Sequence, residues 1–448
     1  MSSLTLKKLA IRGTVWTLVG YGLSQGLRLG ANLCLTRLLA PEMFGLMALV
    51  NVFILGLTLF SDLGIAPSII QHDRGDEPDF LNTAWTLQII RGFGLWLCCL
   101  LLAVPVARFY GEPKLAWLIP VVGFTTVISG FNSTALFTFK RRLNLGKLTL
   151  FELGIQLSSL TIMLIWAWFH RSIWALMVGN LVSELLKAIA SHRLIPGSNN
   201  RLAWEKKAIA DIFAFGKWIF ASTAMTFLAA QADRIILGKL LSFQLLGVYN
   251  VALIFAELPK MVMMKIGDRV IFPVISRQAD LPRRDLRQRI LHQRIPILTV
   301  AIPLLAILVS FGDFLILELY DSRYQDAAWM LPILALGIWL NLLTATMSPC
   351  LLAIGKPLYA AWGNLLKFCY MVIALPVGYS WLGVFGAVIV VACNDLPFYL
   401  VVNYGLWREK LNAIAQDIWA TLLLIGLIVL IAIARHFYGL EFTLPENL

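Results

Sequence analysis

Long apolar stretches, each closed by a short polar segment, recur along the whole chain. Each runs for about 20 residues or more, the length an α-helix needs to cross a hydrocarbon core about 30 Å thick. Short alternating segments of the kind that build a transmembrane barrel do not occur. Backbone amides in lipid must find partners within their own segment, so the expected spans are helices. The pattern places the first six at about 14–38, 43–70, 81–108, 115–137, 149–169 and 173–193. The next six fall at about 210–240, 244–275, 293–317, 328–354, 358–377 and 383–403, with a thirteenth at about 415–437.

The two sets of six share a pattern. Gly13-Thr14-Val15-Trp16 set against Phe215-Gly216-Lys217-Trp218 gives an offset of 202, and the distance from Trp16 to Gly45, 29 positions, recurs from Trp218 to Gly247. Thr36-Arg37-Leu38-Leu39 then falls opposite Gly238-Lys239-Leu240-Leu241. The expected fold is an all-α polytopic membrane protein of about 12–14 transmembrane helices, in two six-helix lobes related by an internal repeat. The lobes are 1–200 and 201–405, followed by an extra helix and short tail over 406–448. In transporters built this way the substrate path lies at the repeat interface.

Composition agrees with a bilayer solvent: 59% of the 448 residues are hydrophobic and only 14% charged, where soluble domains carry about 25% charged residues. The formal net charge of +12 sits between the spans, so it speaks for orientation rather than for nucleic acid. With a cytoplasmic N-terminus, the inside loops hold Lys140, Arg141, Arg142 and Lys147, then Arg193, Arg201, Lys206 and Lys207. They also hold the arginine run from Arg277 to Arg294, whereas the opposite side carries Glu318, Asp321 and Asp326. Lys7, Lys8 and Arg12 precede an apolar run that continues without a cleavage signature, so an uncleaved first helix is expected. An odd number of spans puts the C-terminus outside.

Ionisable and amide groups inside spans are costly and mark a cavity or a partner. Tyr21, Gln25, Arg28 and Asn32 share one face of the first helix, and Asn82, Trp85, Gln88 and Arg91 form a stripe on the third. Gln231 and Arg234 lie three apart on the seventh beside Asp233, and Glu257, Met261, Met264 and Asp268 share a face of the eighth near Lys260. A guanidinium beside amides suits a phosphate, because its planar fork donates two parallel hydrogen bonds and its charge persists at any pH. The residues therefore point to a water-filled cavity between the halves, lined by Arg28, Arg91 and Arg234, that accepts an anionic headgroup. Gln25, Asn32, Gln88 and Lys260 stand with them as headgroup contacts, while Asp233 and Glu257 are candidate coupling or gating carboxylates. The competing reading pairs Arg28 or Arg91 with Asp62 or Glu152, and Arg234 with Glu257, as internal bridges. Lys367 and Asp395 form a candidate structural pair.

No P-loop, nucleotide-binding glycine fingerprint or metal-ligand spacing is present in the sequence, so no catalytic residue, metal or cofactor is expected. Transport would draw on an ion gradient, the membrane potential or the substrate's own gradient. The six cysteines lie inside spans and read as small apolar side chains.

Leu35-Thr36-Arg37-Leu38-Leu39-Ala40-Pro41-Glu42-Met43-Phe44-Gly45, then Phe60-Ser61-Asp62-Leu63-Gly64-Ile65-Ala66-Pro67, Asn82-Thr83-Ala84-Trp85 and Arg91-Gly92, resemble the polysaccharide transporter family. Within it the chain is similar to Wzx-type oligosaccharide flippases such as colanic-acid and teichuronic-acid exporters, of the multidrug/oligosaccharidyl-lipid/polysaccharide superfamily. The resemblance implies two lobes working by alternating access in a bacterial inner membrane. It implies an undecaprenyl-pyrophosphate-linked glycan as substrate, with membrane lipids and a polysaccharide polymerase or export machinery as partners. A lipid II flippase and a multidrug exporter of the same superfamily are the alternatives. Many members have an even number of spans, a departure from the thirteen counted here.

Overall fold

The computed structural model describes residues 3–142, 145–193, 200–261 and 281–440. Every long element among them is an α-helix. The helices are α1 (Ser3–Leu38), α2 (Pro41–Phe60), α3 (Ile65–Gln71), α4 (Pro78–Tyr110), α5 (Leu115–Gly130), α6 (Ala135–Arg141), α7 (Leu145–Phe169) and α8 (Trp174–Ser191). Then come α9 (Lys206–Leu240), α10 (Phe243–Ala256), α11 (Arg283–Leu319), α12 (Asp326–Ala345), α13 (Ser348–Ala353), α14 (Leu358–Ala392), α15 (Leu396–Arg408) and α16 (Ile414–Phe437). The chain divides into two units, Met1–Ala224 and Met225–Leu448, and the division falls inside α9.

Among the described residues eight helical stretches are long and apolar enough to cross a membrane, or nine if the bent pair α5 and α6 is one span. Thirteen were expected, and the shortfall has visible sources. Helices α1 and α9 carry cations and amides along their length, and the continuation of α10 lies outside the described residues. The two predicted spans at about 358–377 and 383–403 fall in one stretch, Leu358–Arg408. That stretch turns back on itself at Leu382 and Gly383, where Gly383 has φ 59°. A Cβ at Gly386 would stand 2.1 Å from the Gly378 carbonyl oxygen, so only glycine lets the two arms approach there.

In the first unit α4 lies along α5, α1 along α7, and α8 against both α5 and α7. Among the buried positions of α4, Phe80, Ala84 and Leu87, and then Leu95, Cys99, Ala103, Val106 and Tyr110, recur at steps of three and four. Its other faces show Ile90, Phe93, Leu97, Leu101 and Val104 to the surroundings, apolar outside as well as inside, as lipid contact requires. A Cβ at Gly92 would meet the Thr126 carbonyl at 2.6 Å, so this glycine sets the close packing of α4 on α5. The start of α9 belongs to this unit: Ala208 and Ile212 are buried with Ile69, Phe80 and Ala84. Arg74 ties the same region together, donating to both oxygens of Glu205 at 2.7 and 2.9 Å.

In the second unit α12 is enclosed by α10, α11 and α14, and α16 lies on α11. Three predicted spans are interrupted. The span at about 43–70 becomes α2 and α3, separated by Ser61–Gly64 with Gly64 at φ 69°. The span at about 115–137 becomes α5 and α6, bent by 63°. The span at about 328–354 becomes α12 and α13, interrupted at Thr346 and Met347.

Candidate functional site

Each break frees backbone carbonyls that lipid cannot satisfy, and the polar residues singled out on α4 go to them. Gln88 Nε2 donates to the carbonyls of Ser129, Gly130 and Asn132 at 3.0–3.1 Å, closing the end of α5. Arg91 donates through Nε to Ser61 Oγ at 3.0 Å and through a terminal nitrogen to Thr58 O at 2.5 Å, closing the end of α2. A cation at a helix C-terminus is favoured by the exposed carbonyl dipoles. Asn82 accepts from the Arg201 amide at 3.0 Å, and Trp85 donates to Phe131 O at 3.5 Å. The α4 stripe is thus the support of two broken helices, with Gln88 and Arg91 engaged at their ends. Asp62 adds electrostatic attraction to Arg91 but accepts its own hydrogen bond from the Gly64 amide.

Arg28 is placed differently. It is exposed on α1, and the ion pairs of this unit lie elsewhere, at Arg74, Lys114, Arg141, Arg142 and Lys187. Gln25 and Asn32 are half-buried on the same helix. One turn away, Ser24 Oγ donates to Gln156 Oε1 at 2.5 Å, and Gln156 Nε2 donates back to Ser24 O at 2.9 Å, fixing α1 on α7. Glu152, a proposed partner of Arg28, is exposed and in no ion pair among the described residues.

The second unit gathers its polar groups in one place. A cavity of about 40 Å³ is lined by Asp233, Glu257, Lys260, Lys367, Asn394 and Asp395. That is room for a few water molecules at most. Lys260 donates to Glu257 at 3.1 Å, and Lys367 donates to Asp395 at 2.5 Å with both residues buried. Asp233 is 7% exposed and accepts from the Tyr249 hydroxyl at 2.6 Å. Arg234 donates to Gln231 Oε1 at 2.6 Å and to Asn250 Oδ1 at 3.1 Å. The expected Lys367–Asp395 pair is present. The Arg234–Glu257 bridge is not, because Glu257 takes Lys260 and the guanidinium is held by two amides. Met264 and Asp268 lie outside the described residues, as does the side chain of Lys217.

Several members were missed by the sequence reading. Tyr249 and Asn250 look like ordinary residues of an apolar helix. Arg294 had been counted with the loop arginines, yet it is 1% exposed within α11 and bonded to Asp417 at 2.7 Å, Thr346 Oγ1 at 2.9 Å and Leu343 O at 3.3 Å. Arg435 on α16 makes a two-pronged pair with Asp313 on α11, both contacts at 2.9 Å. Ionisable residues inside apolar spans were the available signal.

Comparison with known proteins gives a family match over residues 34–329 to the model described as "Polysaccharide biosynthesis protein". The teichuronic acid biosynthesis protein TuaB of Bacillus subtilis (strain 168) is 23% identical over 66% of this chain and 61% of its own length. The lipopolysaccharide biosynthesis protein WzxC of Escherichia coli (strain K12) is 25% identical over 62% of this chain and 56% of its own. The match thus spans about three fifths of either relative. In fold, the chain is similar to an inward-facing multidrug resistance MATE family transporter of the MOP superfamily, with TM-score 0.70, 14% identity, and 86% and 94% of the two chains covered. It is also similar to the lipid II flippase MurJ in an inward closed conformation, with TM-score 0.69, 14% identity, and 97% and 94% covered.

Proposed function

This chain belongs to the polysaccharide biosynthesis protein family, and from that premise we propose that it moves an oligosaccharide linked to undecaprenyl pyrophosphate across a bacterial inner membrane. The lipid-linked unit passes from the cytoplasmic to the periplasmic leaflet by alternating access, for polymerisation into a surface polysaccharide. The loop arginines and lysines support a cytoplasmic N-terminus.

The observation that carries the headgroup assignment is Arg28. An exposed guanidinium, in no ion pair among the described residues, sits in a helix of a membrane protein where an unpaired charge is expensive. A pyrophosphate supplies the missing partner. Arg234 with Gln231 and Asn250 is the corresponding group in the second unit, and Arg91 and Gln88 act on the path through the helix ends they hold. Gln25, Asn32 and Lys260 complete the headgroup contacts. Asp233 and Glu257, in a cluster whose carboxylates and cations are closely matched, are the coupling groups. A lipid II flippase is the second reading, favoured by the MurJ-like fold and by a substrate with the same pyrophosphate.

The test is the pool of undecaprenyl-pyrophosphate-linked oligosaccharides in a deletion strain, measured by mass spectrometry alongside surface polysaccharide. Accumulated complete repeat units with loss of surface polymer support the glycan flippase. Accumulated lipid II favours the second reading. An unchanged pool with altered drug susceptibility overturns both.

A further inference from the structure

Two helix ends in the second unit are fastened side by side. Two residues past the end of α13, Gly355 has φ 74° and the Lys356 amide donates to Leu351 O at 2.8 Å, and Pro357 then leads into α14. Helix α15 ends the same way, with Lys410 at φ 59° and the Leu411 amide donating to Leu406 O at 2.7 Å. Both ends rest on one apolar floor of Met347, Cys350, Leu351, Leu406 and Leu411. Two helix ends capped this way cannot simply extend to fill the gap beside them. A cleft of about 620 Å³ remains, lined by Lys356, Tyr359, Trp362, Arg408 and Glu409 with Gly355, Pro357 and Leu358. This volume lies in the range of small-molecule sites, about 300–1,000 Å³.

The charges in the cleft do not cancel. Glu409 is held by Arg283 of α11 at 3.8 Å, and Arg287 of the same helix donates to Asn412 O at 2.8 Å, so the acid is already matched. Lys356 and Arg408 are exposed and form no ion pair among the described residues. The first turn of α14, whose Leu358 and Tyr359 line the cleft, carries no acidic side chain to offset these cations. Beside these cations stand two aromatic rings: Trp362, 59% exposed, and Tyr359, whose ring lies over Gly405. A bare inorganic anion would use the cations and leave the rings idle.

We propose that this cleft binds a phosphate-bearing sugar headgroup. The phosphate takes the Arg408 fork and the Lys356 ammonium, and the C–H face of the sugar ring lies on the indole of Trp362. The loops that form the cleft fall on the side of the arginine-rich segment, so the ligand would come from that side. The binding chemistry stands on the cleft alone. Its assignment to the lipid-linked glycan, as a station before transport, rests on the function proposed above. A phospholipid headgroup offers the same phosphate without the ring.

The full chain, in nanodiscs of zwitterionic lipid, is titrated with hexose 1-phosphate, glycerol 1-phosphate and inorganic phosphate, with binding followed by isothermal titration calorimetry. Hexose 1-phosphate is expected to bind more tightly than the other two. The double variant Lys356→Gln/Arg408→Gln should weaken it about tenfold, the loss of one charge-assisted contact or more. Trp362→Ala should weaken the hexose ester several-fold and leave inorganic phosphate unchanged. Equal binding of both esters, indifferent to Trp362→Ala, overturns the sugar assignment in favour of a phospholipid headgroup. Binding unaffected by either variant overturns the site. Both variants alter exposed side chains, and retained circular dichroism and elution profile separate lost binding from lost folding. The accumulation test in the deletion strain fails or succeeds independently of this titration.

Discussion

Arg91 in the first unit and Arg294 in the second lie 203 positions apart, one position off the offset of the sequence repeat. Both close the end of an interrupted helix. Arg91 donates to Thr58 O in the last turn of α2 and to Ser61 Oγ just past it, and Arg294 donates to Leu343 O in the last turn of α12 and to Thr346 Oγ1 just past it. Their surroundings differ. Arg294 is buried and paired with Asp417, which α16 brings to it, whereas Arg91 is half-buried with neutral acceptors. The second unit thus matches four cations of its helices with carboxylates, at Arg294–Asp417, Arg435–Asp313, Lys367–Asp395 and Lys260–Glu257, and leaves Arg234 to two amides. The first unit does not treat Arg28 or Arg91 in this way. A buried cation matched by a carboxylate fastens helices, whereas a guanidinium without one, as at Arg28, keeps its charge available.

The largest effect is expected where that matching is broken. Asp417→Ala leaves Arg294 buried without its counter-charge, and loss of one partner of a buried pair costs about 3–5 kcal/mol. Thermal unfolding of the purified protein should show a strong drop in midpoint, together with loosened docking of α16. Arg294→Met with Asp417→Leu removes both charges and should recover much of the loss, because a well-packed apolar pair avoids the desolvation cost. A double variant as unstable as the single one would show that the pair is not what fastens α16 to α11.

Arg91 should matter less. Arg91→Met removes the charged donor shared by the Thr58 carbonyl and the Ser61 hydroxyl, which keep only the bond from Ser61 Oγ to Thr58 O at 3.2 Å, at a cost of about 1–3 kcal/mol. No carboxylate pairs with Arg91, so no counter-charge is stranded. If Arg91→Met were as damaging as Asp417→Ala, the contrast between the units would collapse, and Asp62 would have to be counted as a true ionic partner. Gln88→Leu, which removes the donor to three carbonyls at the end of α5, should fall in the same range.

Hydropathy made the long helices legible to within a few residues. The spans expected at about 81–108 and 415–437 are α4 at Pro78–Tyr110 and α16 at Ile414–Phe437. It could not show the breaks. The polar residues at Ser61-Asp62, Asn132-Ser133-Thr134 and Thr346 are too few to lower a hydropathy window that spans them, and the donors that complete these helix ends come from other elements. The same blindness affected the charged groups. Arg294 ends a run of arginines that reads as a loop, but α11 begins at Arg283 and puts Arg294 three turns inside the helix. Arg28 stands out in the sequence because Tyr21, Gln25 and Asn32 share its face of α1 at regular spacing. Arg234 stands out in the sequence as a cation within a span, but its partner Asn250 comes from α10, and pairing by charge alone pointed to Glu257 instead.

The smallest effect on stability, and the sharpest on transport, is expected at Arg28. Its side chain is exposed and in no ion pair among the described residues, so Arg28→Gln should change unfolding by no more than about 0.5 kcal/mol. The glutamine keeps length and hydrogen-bonding capacity while removing the charge. If Arg28 meets a pyrophosphate, this variant should insert at normal levels yet let lipid-linked oligosaccharide accumulate as in a deletion strain. Arg28→Lys should fall between, since an ammonium restores the charge without the planar fork. Normal export by Arg28→Gln would mean that an unmatched cation in the first unit is not a sign of where the anion goes, and Arg234 would become the group to test next.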